Sequence, residues 1–438
     1  MREDEFQGEV RQTTCFCGRT IHAELANLLI RSMETNGGEG LSEEIPHSAQ
    51  ALIIDAVRER ATDIHLDPED RGLRVRMRID GAMRDAALLV PREGDRLINQ
   101  FKSLAGIDPV AQLAADEARF GLQRDEETNI DLRVALIPCL EGQKLTVRVL
   151  DPRRVYEIHE LGMNDLSLGR LRQWLVSLGG MFVVAGPVGS GKTTTLYALL
   201  HTLKSHPCSV STLEDPVEYN IDGINQVQVD EKHGLTFAEG IRALSRHDPD
   251  VILVGELRDS STARAAYGAA SLGRTMLTTL HARDAAGAVT GLRYHGLNDR
   301  DIATTLSVVV AQRLVRKLCP DCRRESAPTD EEKCWLEFVD MPVPENTWEP
   351  GSCSHCGYSG YLGQTGVFEV WRLEEEDYHL LLGGATEREI RESLFSRHHK
   401  HFLDDALEKV TKGVTSFAEV QSLRLAGPAL WPSMANSP

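Results

Sequence analysis

Apolar and polar side chains alternate strictly along residues 73–80. Leu73, Val75, Met77 and Ile79 fall on one side and Arg74, Arg76, Arg78 and Asp80 on the other. Successive strand residues point to opposite faces, so this stretch predicts a half-buried strand. Ahead of it, Ala49, Leu52, Ile53, Ala56 and Val57 recur at helical spacing behind Ser48, a candidate N-cap. Two more strand-like runs, DLRVALI and KLTVRVL, follow and are joined across Glu141-Gly142. Together these elements predict an α+β domain over 47–155. The 1–46 segment, with its ETNGGEGLSEE run, reads as weakly structured apart from the amphipathic stretch IHAELANLLI.

The rhythm changes at Met181. Four apolar runs, MFVVA, SVSTLE, VILVGE and TMLTTLH, are separated by helix-patterned stretches, as in a mainly parallel sheet of an α/β domain. Thr236 with Glu239 reads as a capping box whose helix ends before Pro249. Asp259 is placed to cap the next helix, and Gly273 to end it. The pattern from Asp301 onward predicts one long helix closing on Arg313, Arg316 and Lys317, cations that suit a helix C-terminus. A cysteine-bearing segment over 319–370 and a mostly helical part and tail over 371–438 complete the chain.

Bulk properties narrow the classes. The 438 residues suffice for roughly three domains. A net charge of −18 disfavours sequence-independent nucleic-acid binding, which rests on Lys and Arg meeting phosphate. No apolar run approaches the roughly 20 residues that a membrane helix needs. The acidic start MREDEFQGEV is no signal peptide. The expectation is a cytoplasmic protein that meets a membrane only peripherally or through partners. In that compartment its nine cysteines suggest thiols or metal rather than disulfides.

Gly186-Pro187-Val-Gly189-Ser190-Gly191-Lys192-Thr193 matches the phosphate-binding loop G-x-x-x-x-G-K-[ST], with the strand MFVVA before it and the helix TTTLYALLHTL after it, and Thr194 joins the candidate nucleotide contacts. Glycines let backbone N–H groups turn toward phosphate, and the helix N-terminus adds a positive dipole end. Lys192 suits the β/γ-phosphates of ATP, and the Thr193 hydroxyl suits Mg²⁺. Glu214, Glu256 and His281 also fall at the C-terminal ends of apolar runs, the edge where open α/β sheets bind ligands. Gly255 stands where such strands usually carry a metal-side aspartate. Glu256 is then free to orient or deprotonate the attacking water, Glu214 is a second carboxylate on the metal or water side, and His281 is a candidate γ-phosphate sensor. Arg242 and Arg246, a helical turn apart, and Arg258 are candidate cations within the chain. Arg133 and Arg148 occupy polar alternation positions in the preceding domain.

The segments EDPVEYNIDGINQVQV, GLTFAEGIRALSRHDPDVILVGELRD, TTLHARDA and GPVGSGKTTTLYALL resemble the Asp-box, Walker B, His-box and phosphate-loop segments of the type II secretion and type IV pilus assembly ATPases. ERATDIHLDPED, RMRIDGAM and DLRVALIPCLEGQKLTVRVLD resemble the domain that precedes the motor there, so the likeness spans residues 47 to 425. It implies a RecA-like ATPase domain over 156–318 and homo-hexameric rings that work with inner-membrane platform proteins. It also implies Glu256 as catalytic base, Glu214 as the Asp-box acid, and arginines such as Arg133 and Arg148 that reach the nucleotide of a ring neighbour. Three departures stand out. About 46 residues precede the shared region, where many assembly members have a whole docking domain. AGIDPVAQLAADEARFGL lacks the usual basic-Pro-Gln-Asp-Gly run. Gln364 stands where an arginine is common.

Cys319-Pro-Asp-Cys322 and Cys353-Ser-His-Cys356 are two C-x-x-C knuckles, which favour one tetrahedral Zn²⁺, with His355 as a fallback ligand. Assembly and secretion members of the resembled family carry such a module and retraction members lack it. Cys15, Cys17, Cys139, Cys208 and Cys334 have no partner pattern and read as ordinary thiols. The reading is thus an ATP-hydrolysing motor of secretion or pilus assembly. Its alternatives are a nucleic-acid-stimulated RecA-like ATPase, a DNA-uptake variant of the same family, and a nucleotide-binding regulator without turnover.

Overall fold

The alternation at residues 73–80 does form a strand, and its polar face is neutralised by cross-strand partners. Arg76 pairs with Asp67 at 2.7 Å and Arg74 with Glu69 at 2.5 Å, while Val75 and Met77 are buried. The computed structural model describes residues 47–110, 115–123, 129–150, 155–397, 399–400 and 402–423. Residues 1–46, with IHAELANLLI, Cys15 and Cys17, lie outside these. So do residues 111–114, which hold part of the AGIDPVAQLAADEARFGL departure, and the tail from 424.

The chain divides into two compact units at Arg154/Val155. The first holds helix α1 (His47–Arg58), strands β1 (Ala61–Glu69), β2 (Gly72–Ile79) and β3 (Ala82–Leu89), and helix α2 (Pro91–Leu104). It continues with β4 (Asp116–Gln123), β5 (Asn129–Cys139) and β6 (Gly142–Leu150). The strands form one antiparallel sheet in the order β3-β2-β1-β6-β5-β4. Leu52 and Ile53 of α1 and Phe101 of α2 join Ile64, Leu66 and Val147 in its core. Ser48 lies inside the first turn of α1, not before it as expected.

The second unit opens with α3 (Asp165–Val176), β7 (Met181–Ala185), α4 (Lys192–Leu203), β8 (Val210–Glu214) and β9 (Asn225–Gln228). Then come α5 (Phe237–Leu244), β10 (Val251–Val254), α6 (Ser260–Ser271), β11 (Thr275–Leu280), α7 (Ala285–Tyr294), α8 (Asp299–Thr305) and β12 (Leu306–Leu318). The remaining elements are β13 (Arg324–Ser326), α9 (Asp330–Phe338), β14 (Thr347–Glu349), β15 (Tyr361–Arg372), α10 (Glu375–Leu382), α11 (Glu387–Ser396), α12 (Phe402–Thr411) and α13 (Phe417–Ser422). Seven strands make one sheet, β15-β12-β7-β11-β10-β8-β9, parallel except for the β15 edge. Phe182 and Val184 pack on one side with Leu196 and Leu199, and Val183 and Ala185 on the other with Ala288 and Val289. Helices cover both faces, which is why the central runs are apolar without alternation.

The expected caps form at Thr236, whose side chain accepts from the Glu239 N–H, and at Asp259, which accepts from Ser261 and Thr262. Gly273, just past α6, takes the left-handed φ of +92°. The long helix expected from Asp301 does not exist. Helix α8 stops at Thr305, and Leu306–Leu318 is a strand between β7 and β15. Val308, Val309 and Val310 are stiff β-branched residues buried on both faces. A strand buried on both faces shows no period that separates it from a buried helix. Arg313, Arg316 and Lys317 are therefore strand residues. No helix among the described residues is long and apolar enough to cross a membrane.

Candidate nucleotide site

The loop between β7 and α4 turns through two glycines in the left-handed region, Gly189 (φ +77°) and Gly191 (φ +86°), where a side chain would be strained. At Gly186 a Cβ would sit 2.4 Å from the Ser190 hydroxyl and 2.7 Å from the Gln312 carbonyl. Gln312 of β12 is buried; its amide donates to the Ser190 carbonyl at 2.6 Å and accepts from the Thr195 hydroxyl at 2.7 Å. It ties the loop and the first turn of α4 to the sheet. The Lys192 ammonium donates to the carbonyls of Gly186 and Pro187 at 2.9 and 3.0 Å. Burial, then the nearby Arg313, lowers its pKa to about 8. Thr193 is exposed at the start of α4, and Thr194 is half-buried.

The sheet brings the other candidates to this edge. β7, β11, β10 and β8 are parallel neighbours, so their C-terminal ends lie together. The Gly186 N–H donates to the Leu280 carbonyl, and the Thr279 hydroxyl donates to the Gly255 carbonyl. These bonds link the phosphate loop, the end of β11 and the turn after β10. Beyond them, the His281 Nε2 lies 3.7 Å from the Glu256 carboxylate. Burial and then Lys192 hold the His281 pKa below the usual imidazole value, while its bond to the Gly186 backbone works the other way. The ring is therefore mainly neutral at pH 7. A Cβ on Gly255 would make only ordinary contacts, 3.6 Å or more.

Arg258 pairs with Glu256 on one side and with Asp215 at 2.9 Å on the other, and its guanidinium lies over the Phe237 ring. Asp215 is exposed and went unnoticed in the sequence, because it stands one residue past the end of β8. Glu214, expected on the metal or water side, faces the interior. Its carboxylate accepts from the Tyr197 hydroxyl and the Thr212 hydroxyl, both at 2.5 Å. Among the described residues no hydrogen bond or ion pair joins it to Glu256 or His281. Tyr197 belongs to α4, so Glu214 steadies the helix that follows the phosphate loop.

The other arginines are dispersed. Arg242 pairs with Glu239 on α5, which ends at Leu244, and Arg246 lies on the 3₁₀ turn Ser245–His247 that continues it, so the α-helix expected to carry both stops short of Arg246. Both are exposed. Arg133 and Arg148 are cross-strand neighbours on β5 and β6 of the first unit, and Arg148 donates to Asp63 at 3.1 Å.

The knuckles close the far end of the β12–β15 ladder. Cys319 follows β12, and its N–H donates to the Gly360 carbonyl just before β15. All four sulfurs lie within 4.8 Å of one another, with Cys319–Cys353, Cys322–Cys356 and Cys353–Cys356 at 3.8, 3.8 and 3.7 Å. Four thiolates about 2.3 Å from one Zn²⁺ have edges of about 3.8 Å, so the set fits the ion. The Gly360 N–H donates to the Cys356 sulfur at 3.2 Å. His355 is bonded to Asp321 at 2.5 Å, and the four sulfurs complete a tetrahedron without it. Cys139, Cys208 and Cys334 are free thiols. Gln364 on β15 lies opposite Arg316, which pairs with Glu419 at 2.6 Å; an arginine at 364 would set two like charges across the ladder.

Comparison with known proteins agrees with this geometry. The family model "Type II/IV secretion system protein" matches residues 40–422. Type II secretion system protein E of Aeromonas hydrophila is 34% identical, over 89% of this chain and 81% of its own. The type IV pilus assembly ATPase PilB of Acinetobacter baylyi is 36% identical over 84% of this chain, which spans 64% of the PilB length. The solved structure of the Legionella pneumophila ATPase DotB superimposes with a TM-score of 0.65 at 20% identity, over 89% of this chain and 98% of DotB, and so shares the fold. Phosphate loop, converging strand ends and a family match over most of the chain lead to one conclusion: the chain belongs to the type II/IV secretion system protein family.

Proposed function

We propose that this chain hydrolyses ATP and acts as a homo-hexameric motor of a type II secretion or type IV pilus assembly machine, powering pseudopilin or pilin assembly and protein export. One observation carries the reading: Lys192, Glu256 and His281 converge on a single edge of the sheet around the phosphate loop. Lys192 and the N–H groups of the loop bind the β/γ-phosphates. Neutral His281 donates a hydrogen bond to the γ-phosphate. Water attacks the γ-phosphorus, Glu256 takes its proton, and the bond to the β-phosphate oxygen breaks to leave ADP and phosphate. Mg²⁺, held by the Thr193 hydroxyl, supplies charge neutralisation on the phosphates. In this scheme Arg258 swings from Glu256 toward the developing charge, Asp215 holds its other side, and Glu214 steadies α4 through Tyr197. Arg242 and Arg246 remain candidate cations. Zn²⁺ on Cys319, Cys322, Cys353 and Cys356 is structural, since four protein ligands leave no open position.

The relatives named for secretion and pilus assembly support the machine, and partners at the cytoplasmic face of the inner membrane follow from that reading. The test is steady-state phosphate release by the full chain. Glu256→Gln should bind ATP yet turn over about 10²–10⁴-fold slower, the usual worth of a general base. Near-normal turnover would remove Glu256 from that role. Strong stimulation by single-stranded DNA would favour the nucleic-acid-driven alternative, against which the net charge of −18 argues.

A further inference from the structure

His281 sits in a short span with fixed ends. On one side Leu280 closes β11, and its carbonyl accepts from the Gly186 N–H. On the other side two arginines hold Arg283 and Asp284. Arg313 of β12 donates to the Arg283 carbonyl at 2.6 Å and to the Gln312 carbonyl at 2.9 Å, with its guanidinium over the Phe402 ring of α12. Arg391 of α11 donates twice to one carboxylate oxygen of Asp284, at 3.0 and 2.8 Å. The other Asp284 oxygen accepts from the Gly287 N–H and caps α7.

The Arg391–Asp284 pair is shielded from water, its side chains 17% and 8% exposed, so salt and solvent weaken it little. Arg391 is itself fixed by Glu387, whose second oxygen accepts from Thr290 of α7. Glu369 of β15 lies buried, within electrostatic reach of Asp284, Arg391 and Arg313. Only Ala282 and the backbone of Arg283 separate His281 from these anchors. A displacement of Asp284 or Arg283 is therefore passed to the imidazole, which must meet a phosphate and Glu256 at once.

We propose that Arg313 and Arg391 are positioning residues for His281, through which the C-terminal helices set the geometry of the nucleotide site. The proposal rests on the ATPase reading. Neither arginine touches the phosphate loop by hydrogen bond or ion pair among the described residues. Arg391 acts through the 281–284 span alone, whereas Arg313 also lies near enough to Lys192 to depress its pKa, so the Arg391 variants carry the decision.

The experiment compares the full-length wild type with Arg391→Gln, Arg391→Lys, Arg313→Gln, His281→Ala and the doubles His281→Ala/Arg391→Gln and His281→Ala/Arg313→Gln. It reads kcat and KM for ATP, the Kd of a fluorescent ATP analogue, and Tm. Each glutamine variant should lose about 10- to 100-fold in kcat, as expected for a misplaced group, with the analogue's Kd little changed. Arg391→Lys should recover only part of the loss, because a lysine cannot reproduce the two-pronged contact. The doubles should be no slower than His281→Ala alone, since a residue already absent needs no positioning. Losses that multiply onto that of His281→Ala, unchanged kcat in folded glutamine variants, or a fully active His281→Ala would each overturn the proposal. If Arg391→Gln fails to fold, Arg391→Lys decides by the same criteria. An inactive wild type would bring down the ATPase reading itself, which separates the two failures.

Discussion

Lys192 shows how one residue ties burial to ligand chemistry. Its ammonium is half-buried, faces Arg313 and has a pKa of about 8, below the ordinary lysine value. A bound triphosphate favours the charged form and raises that pKa. Below about pH 8 the lysine is already charged and binding moves no proton. From about pH 8 up to the bound-state pKa, binding takes up one proton, so affinity falls with rising pH, by at most tenfold per unit. Titration with a fluorescent ATP analogue between pH 7 and 10 checks this, and the slope should vanish in Lys192→Met. A flat wild-type profile would mean that the lysine stays charged. Gln312 makes the second case. Gln312→Ala leaves the Ser190 carbonyl and the Thr195 hydroxyl buried without their partner, at a cost of about 1–3 kcal/mol in urea unfolding, with weaker ATP binding. Lys192 was legible because a phosphate loop has a fixed local spacing. Gln312 was not, because its bond spans more than a hundred positions and nothing around it marks a turn or a cap. The direction of Glu214 was hidden for a related reason. A strand-end acid can face solvent or its own helix, and only the tertiary contact with Tyr197 decides.

At the scale of elements, β12 joins everything the second unit does. It borders the phosphate-loop strand along one edge, pairs with β15 along the other, carries Gln312 and Arg313, and ends in the first cysteine knuckle. The parallel strands, their caps at Thr236 and Asp259, and the β5–β6 hairpin were readable from local patterns. β12 was misread as helix because burial on both faces erases the period, and its cationic end imitates a helix terminus. The register of the ladder gives the zinc site its consequence. Leu318 pairs with Tyr361, so an ion held by the knuckles would clamp the end of the ladder where the chain leaves β12 and re-enters β15. Elemental analysis of protein purified without a metal-binding tag should return one zinc per chain. Cys319→Ser, or chelation, should lower Tm and weaken ATP binding together, because the same strand carries both sites. Full stability with sub-stoichiometric zinc would reject the site.

For the whole molecule the open question is where the charge-stabilising arginine comes from. Negative charge grows on the γ-phosphoryl oxygens during transfer, and a supplied arginine is worth about 10³–10⁵ in rate. Arg242 is engaged with Glu239, and Arg246 lies on a separate turn, so neither is preset for the task. Arg258 is close but shared between Glu256 and Asp215. Arg148 sits on the exposed polar face of the first unit with Asp63 as its partner, and Arg133 stands directly across the strand. Arg148 is exposed while Asp63 is buried and also lies 3.7 Å from Arg78, so redirecting Arg148 leaves that carboxylate a second cation. In a ring, that side chain would serve the nucleotide of the adjacent subunit. Lys192→Ala and Arg148→Ala chains should each be inactive as pure rings. After mixing under conditions of subunit exchange, a ring holds some boundaries where an intact Lys192 faces an intact Arg148, and phosphate release should return in part. No recovery in rings verified as mixed would count against action across the boundary, and a fully active Arg148→Ala ring would take the residue out of the site altogether.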